Sequence, residues 1–243
     1  MKLVNKYLVA CFLCLAGFQL QAQENLQSDK TPEEKLIELQ KHTTILPTGN
    51  MYFAENENGV FVFSENGRFV FQGKVYDSWQ KKNLDTLSDA KKSHYVPLAD
   101  LGVPPETLAA LHTKSKGEVD LVIFTDPACT SCNAIYEQVD DELSDYRVAY
   151  VLTNLVGNDK SSDKIKRLWC EKDKSKSLKM LMDSEEVSIP DISYGDCNLS
   201  RLFKNLTVAR MLGVDRVPFL MRRDGKIFKG RPKSLKSFME TEQ

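Results

Sequence analysis

Hydrophobic positions change their spacing several times along this chain, and each change marks an element. Behind Lys2 and Lys6, Tyr7 to Phe18 is an unbroken apolar run of twelve residues. Thr31-Pro32-Glu33-Glu34 then reads as a helix start, with Thr as N-cap, Pro at the first helical position and Glu at N3. That helix carries Leu36, Ile37 and Leu39 and runs to about His42. From Met51 the period shortens to two. MYFAENENGVFVFSENGRFVFQGKVYD holds three β-type runs separated by Asn58-Gly59 and Asn66-Gly67, both strong hairpin-turn dipeptides. Val60 to Phe63 and Arg68 to Phe71 are aromatic and β-branched, so an antiparallel meander is predicted.

Residues 80–117 read as a connector. KKNLDTLSDAKK is polar, Val103-Pro104-Pro105 interrupts it, and ETLAALH predicts a short helix with Leu108 and Leu111 on one face. Beyond Glu118 a βαβ rhythm begins. Val119 to Phe124 is a continuous apolar strand of the buried kind, and a helix from near Cys129 carries Ala134, Ile135 and Val139. Val148 to Leu152 is the next strand. Helical stretches follow around Ile165 to Cys170 and Ser177 to Met182, and LSRLFKNLTVARMLGV has Leu199, Leu202, Phe203 and Leu206 at helical spacing. VPFLMRRDGKIF is a strand, an Asp224-Gly225 turn and a strand, closed by a helix from about Ser234. This layout is α/β with a mixed sheet. The expected partition is a leader over 1–22, a small N-terminal domain over 23–95, a linker with a short helix over 96–117, and a cysteine-bearing domain over 118–243.

Composition adds exclusions. With 243 residues, 42% hydrophobic and 28% charged, the chain is globular, not disordered. Lys plus Arg is 33 against 34 for Asp plus Glu, which gives no electrostatic case for nucleic acid. The Lys172 to Lys179 cluster is interspersed with acidic residues and reads as a solvated helix face. The twelve-residue apolar run is too short to span a bilayer. With Leu20-Gln21-Ala22 as a small-residue cleavage site, it reads as a secretory signal, so the mature chain starts at Gln23 in an oxidising compartment. Leu8-Val9-Ala10-Cys11 resembles a lipobox, but a cut there leaves almost no apolar stretch before it.

Removal of the leader takes Cys11 and Cys14 with it and leaves Cys129, Cys132, Cys170 and Cys197. Four cysteines allow three connectivities, and the local pair leaves Cys170 with Cys197 by default. The CxxC of FTDPACTSCNAIYEQ has three possible meanings: a redox centre, half of a zinc site, or an inert bridge. Its position after a strand and at the opening of a helix favours a thiolate at Cys129, with free N–H groups and the positive dipole end beside it. Cys132, one turn on, is placed to resolve a mixed disulfide, so the pair is expected to supply an exposed, low-pKa nucleophile with an escape route. Zinc needs two more ligands, and His42, His94 and His112 are expected outside this domain. An inert bridge across one helical turn closes too small a loop to stabilise much, whereas the Cys170–Cys197 separation of 27 residues is worth roughly 3.5 kcal/mol. Val217-Pro218 opens the strand after the long helix, where either an ordinary trans proline at an edge or a cis peptide fits.

Together FTDPACTSCNAIYEQ, LWCEKDKSK, the later GDC and LGVDRVPFLMRRDGKIFKG resemble the DsbC/DsbG family of periplasmic disulfide isomerases, and GVFVFSENGRFVFQGKVYD resembles that family's N-terminal dimerisation sheet. The resemblance implies a thioredoxin-like C-terminal domain with a helical insertion, preceded by a small α+β dimerisation domain and a linker helix. It implies Cys129 as attacking and Cys132 as resolving cysteine, Pro218 as a cis-proline beside them, and a structural Cys170–Cys197 disulfide. It also implies a V-shaped homodimer, misfolded exported proteins as clients, and a membrane thiol reductase (DsbD-like) as electron donor, with no cofactor and no metal. Two positions depart from the family pattern: Thr130-Ser131 replaces a dipeptide with an aromatic second residue, and Val217 stands where Thr is common. Both bear on thiolate stability and redox poise. The expected activity is disulfide isomerisation, with a dedicated thiol oxidase or reductase, or a holdase chaperone, as the alternatives.

Overall fold

The computed structural model describes residues 41–47, 50–57, 59–183 and 197–241, residue 158 by its backbone alone. The leader with its cleavage site at Ala22, the helix from Thr31, Asn58 of the first turn and the Gly195-Asp196 of GDC lie outside the described residues. The chain divides between His94 and Tyr95 into two compact units.

In the first unit, β1 (Thr43–Ile45), β2 (Met51–Asn56), β3 (Gly59–Ser64) and β4 (Val70–Gln72) form an antiparallel sheet in that order. β2 and β3 pair over six positions, from Met51 opposite Ser64 to Asn56 opposite Gly59. Alternation sorts the side chains between faces. Phe53 and Val62 join Leu84 and Ala90 in one cluster, whereas Ala54 and Phe63 pack with Tyr52 and Phe61 in another. Gly59 takes φ 112°, a conformation that side-chain-bearing residues rarely adopt, which is why the first turn carries glycine. The meander is therefore present, with a shorter third run than expected. Arg68 and Phe69 belong to the turn, because their N–H groups donate to Asn66 Oδ1 and Ser64 Oγ, each at 3.1 Å. A hairpin of β5 (Val75–Asp77) and β6 (Lys82–Leu84) and a helix, α1 (Leu87–Lys92), complete the unit. Thr86 and Asp89 cap α1 reciprocally, and Glu55 Oε2 accepts from Leu87 N at 2.6 Å, tying the helix to β2.

The second unit is a five-stranded mixed sheet. Its strands are β7 (Ala110–His112), β8 (Leu121–Thr125), β9 (Val148–Leu152), β10 (Phe219–Arg222) and β11 (Ile227–Lys229), in the order β11-β10-β8-β9-β7. Only β8 and β9 are parallel, with Leu121 opposite Val148 and Thr125 opposite Leu152. Every residue of these two strands is buried, as continuous apolar runs covered on both faces should be. α2 (Thr130–Glu142) crosses from β8 to β9 and turns Cys132, Ile135, Tyr136 and Val139 inward. α3 (Asn158–Cys170), α4 (Lys174–Met182) and α5 (Ser200–Met211) lie between β9 and β10, and α6 (Leu235–Glu240) closes the unit. A βαβ crossover, an antiparallel hairpin and a closing helix make a thioredoxin-like layout with a helical insertion.

Two expectations are corrected here. Residues 105–112 do not form a helix: Pro105–Thr107 is a single 3₁₀ turn, and Ala110–His112 is the strand β7, antiparallel to β9. Leu108, Ala109, Ala110 and Leu111 are all buried, and a short apolar run of this kind suits a covered strand as well as a helix. The sheet edge decides between them. Asn205 of α5, fully buried, fixes the outcome by donating through Nδ2 to Ala109 O and Leu152 O, both at 2.8 Å, and accepting from Ala109 N at 2.9 Å. The segment expected as a linker thus belongs to the second unit. His112 goes with it, and so lies in the same unit as the cysteines, not outside it.

Candidate active site

The local sequence explains how the turn before α2 is built. β8 ends in Phe124-Thr125, and Asp126-Pro127 stops the strand. The Asp126 carboxylate accepts from Ala128 N at 2.8 Å, and Asp126 O accepts from Cys129 N at 2.9 Å. These bonds make a tight turn that delivers Cys129 to the N-cap position of α2. Cys129 accordingly occupies the N-cap position at the positive end of the helix dipole, although its side chain makes no capping hydrogen bond to the first turn.

Both cysteines of the pair are free thiols. Contrary to the expectation of an exposed nucleophile, Cys129 is only 6% exposed. The chain before β10 covers it: Cys129 Sγ donates to Val217 O at 3.5 Å and lies 3.0 Å from Ser131 Oγ, and that hydroxyl is also 3.5 Å from Val217 O. The Val217–Pro218 peptide is cis, and both residues are buried. Cys129, Ser131, Val217 and Pro218 therefore converge, whereas Thr130 sits exposed on the first turn.

Cys132 is fully buried on the inner face of α2. Burial pushes its thiol up from the ordinary 9.0 to about 12, and its hydrogen bond with Cys129 works in the same direction. The phenol of Tyr136, hydrogen-bonded to the Thr125 hydroxyl, is also raised by burial and stays neutral. The arrangement thus places one sulfur at a helix end and holds the other as a thiol beneath it.

Cys170 and Cys197 are elsewhere and differently placed. They form a disulfide with a Cα–Cα distance of 5.5 Å, joining the last residue of α3 to the segment before α5. Around it, Trp169 Nε1 donates to Asn198 O at 2.9 Å, and the Lys174 ammonium lies 4.6 Å from the Trp169 ring centre. Among the described residues no group of three His, Cys, Asp or Glu side chains could hold a metal ion. His112 Nδ1 is buried without a hydrogen-bond partner, and burial and the charge of Arg147 lower that imidazole's pKa.

No family model matches the chain. It is 23% identical over 201 residues to the thiol:disulfide interchange protein DsbC of Escherichia coli strain K12, covering 81% of this chain and 80% of that protein. Over four-fifths of its length the chain is thus similar to DsbC-type thiol:disulfide interchange proteins. The DsbC of Dickeya dadantii strain 3937 is 22% identical over 198 residues, covering 80% of this chain and 78% of that one. A crystal structure of a disulfide interchange protein from Neisseria gonorrhoeae overlays with a TM-score of 0.43 at 18% identity, over 54% of this chain and 93% of the other. The pair at the start of α2 consists of two unequally placed thiols, one at the helix end and one buried beneath it, an arrangement suited to thiol-disulfide exchange.

One residue at the site escaped the sequence reading. Asp126, fully buried, contacts the turn, the loop after β9 and the first turn of α3 at once. Its signal in the sequence was the Asp-Pro step between a strand and a helix, which marks a side-chain-capped turn. The distant half of its contacts left no local trace.

Proposed function

We propose that the protein is a disulfide isomerase for exported proteins, with Cys129 as nucleophile and Cys132 as resolving thiol. The observation that carries this is the inequality of the two sulfurs: Cys129 caps α2, and Cys132 is buried with its thiol raised to about 12. The Cys129 thiolate attacks a sulfur of a wrong disulfide, forming a mixed disulfide and releasing one client thiolate. Another client thiolate then attacks the mixed disulfide, forming a new client disulfide and returning Cys129 as thiolate, so the cycle moves no net electrons. Burial keeps Cys132 protonated meanwhile. When exchange stalls, the Cys132 sulfur gives up its proton and attacks Cys129 Sγ, which releases reduced client and leaves a Cys129–Cys132 disulfide. Two electrons from a membrane thiol reductase of the DsbD kind restore the pair. Pro218, Val217, Thr130 and Ser131 support the site, and the Cys170–Cys197 disulfide is structural.

The same reading takes residues 1–22 as a signal peptide cut after Ala22 and the periplasm as the location. No helix among the described residues is long and apolar enough to cross a membrane. The first unit is read as a dimerisation domain. Its edge strand β4 and the preceding turn leave Phe69 and Phe71 more than half exposed, an apolar edge of the kind that pairs with a second copy. Similarity to the thiol:disulfide interchange protein DsbC over four-fifths of the chain supports thiol-disulfide exchange as the chemistry. Refolding of a scrambled-disulfide protein tests the reading. The wild type should restore activity and Cys129→Ala should not; restoration by the variant contradicts it, and suppression of aggregation alone points to a holdase. Thiol trapping in cells separates isomerase or reductase, with the pair mostly reduced, from oxidase, with it mostly oxidised.

A further inference from the structure

Asp126 is a buried carboxylate that the exchange chemistry above does not use. Its Oδ2 accepts from Val156 N at 2.7 Å and Gly157 N at 3.0 Å, and its Oδ1 accepts from Ala128 N at 2.8 Å and from the Ser161 hydroxyl. Four neutral donors thus replace water around a fully buried charge, three of them peptide N–H groups whose positions the backbone fixes. They come from two segments some 30 residues apart in sequence: the turn that carries Cys129, and the loop and first turn of α3. Gly157 shows how closely these segments approach. A Cβ there would stand 2.6 Å from Ala128 Cβ and 1.9 Å from Ser161 Oγ, so only glycine fits although its φ of −88° is ordinary. Alongside, Thr153 donates to Thr125 O from both its N–H and its hydroxyl, at 2.8 Å each.

We propose that Asp126 is a positioning residue for Cys129: its carboxylate locks the 126–129 turn onto the 156–161 segment and so holds the nucleophile at the cap of α2. The inference rests on the reading of Cys129 as nucleophile. The lock is directional, because a carboxylate accepts on both oxygens whereas an amide accepts on one. In Asp126→Asn, at least one peptide N–H faces an amino group, whichever way the amide turns. Removing an acceptor from a buried network leaves its donors unpaired, so the turn shifts to find new partners. A displaced nucleophile loses rate even when it is fully ionised.

The test uses Asp126→Asn, Gly157→Ala and the milder Ser161→Ala in the full mature chain. The measured quantity is the rate of Cys129 with oxidised glutathione across pH, taken at the plateau where the thiolate is fully formed. Near-UV circular dichroism and an intact Cys170–Cys197 disulfide report folding. The plateau rate should fall about ten-fold in Asp126→Asn and Gly157→Ala, and a few-fold in Ser161→Ala. Gly157→Ala is decisive because it keeps the charge and pushes on the turn from outside. Unchanged plateau rates with a lower melting temperature would mean that Asp126 only stabilises the fold. An effect in Asp126→Asn alone, confined to the pH midpoint, would mean an electrostatic influence without positioning. Either result overturns the proposal. A wild type that reacts with glutathione but fails to isomerise would count against the isomerase reading and leave this test intact.

Discussion

The two cysteine pairs of the second unit have the same composition and opposite surroundings. Cys129 and Cys132 lie one helical turn apart, buried, at the junction of β8, α2 and the chain entering β10. Cys170 and Cys197 lie 27 residues apart, half-buried, at the end of α3 and before α5. Accessibility therefore does not separate the pair proposed as reactive from the pair proposed as structural; if anything it runs the other way. What separates them is the electrostatics of the backbone and the length of chain each bond closes. One sulfur sits at a helix N-terminus, and the buried position beneath it opposes charge on the other. A bond across one turn constrains almost nothing in the unfolded chain, whereas a bond across 27 residues removes a large loop entropy.

That contrast fails if the two pairs can exchange effects. Cys129→Ala should reduce disulfide exchange to the uncatalysed background in a scrambled-substrate assay while leaving the urea midpoint of the protein nearly unchanged. Replacing Cys170 and Cys197 together by Ser should do the converse. It should cost about 2–4 kcal/mol of unfolding free energy in urea titrations, with exchange retained at temperatures where the variant stays folded. A large activity loss in the folded double variant would make the second pair part of the chemistry.

A smaller effect concerns pH. The Cys132 thiol has its pKa raised by burial from 9.0 in the unfolded chain to about 12 in the fold. Below about pH 9 it is protonated in both states and has no influence. Between 9 and 12 the unfolded state releases this proton and the folded state keeps it, so stability falls as pH rises. The reduced protein should therefore lose stability across that window in pH-dependent urea melts, and Cys132→Ala should lose less. The smallest expected signal is in alkylation. Near neutral pH iodoacetamide should modify Cys129 and leave Cys132 untouched, as read by peptide mass spectrometry; equal modification would remove the asymmetry on which the comparison depends.

Much of this was legible from residue order because the governing interactions are local. Val148 to Leu152 reads as a strand and is β9, since five consecutive apolar residues have few alternatives between two helices. The strand, turn and helix around FTDPACTSCNAIYEQ were readable for the same reason, as were the hairpin at Asp224-Gly225 and the start of the last helix at Ser234. Errors fell where distant partners decide. LAAL after the double proline has no intrinsic preference strong enough to choose, and pairing with β9 makes it β7. Cys129 was expected to be exposed, and its cover is the Val217 carbonyl, 88 residues away. Asp126 was overlooked because its meaning comes from Val156, Gly157 and Ser161, which no local pattern connects to it.

The most direct test of the central claim is capture of the exchange intermediate. Reduced Cys132→Ala protein is mixed with a scrambled-disulfide client, quenched with acid, and analysed by non-reducing peptide mass spectrometry. A client cysteine joined to Cys129, with Cys170 still joined to Cys197, is the predicted result. A client attached through any other cysteine, or no covalent intermediate while exchange proceeds, would contradict the account.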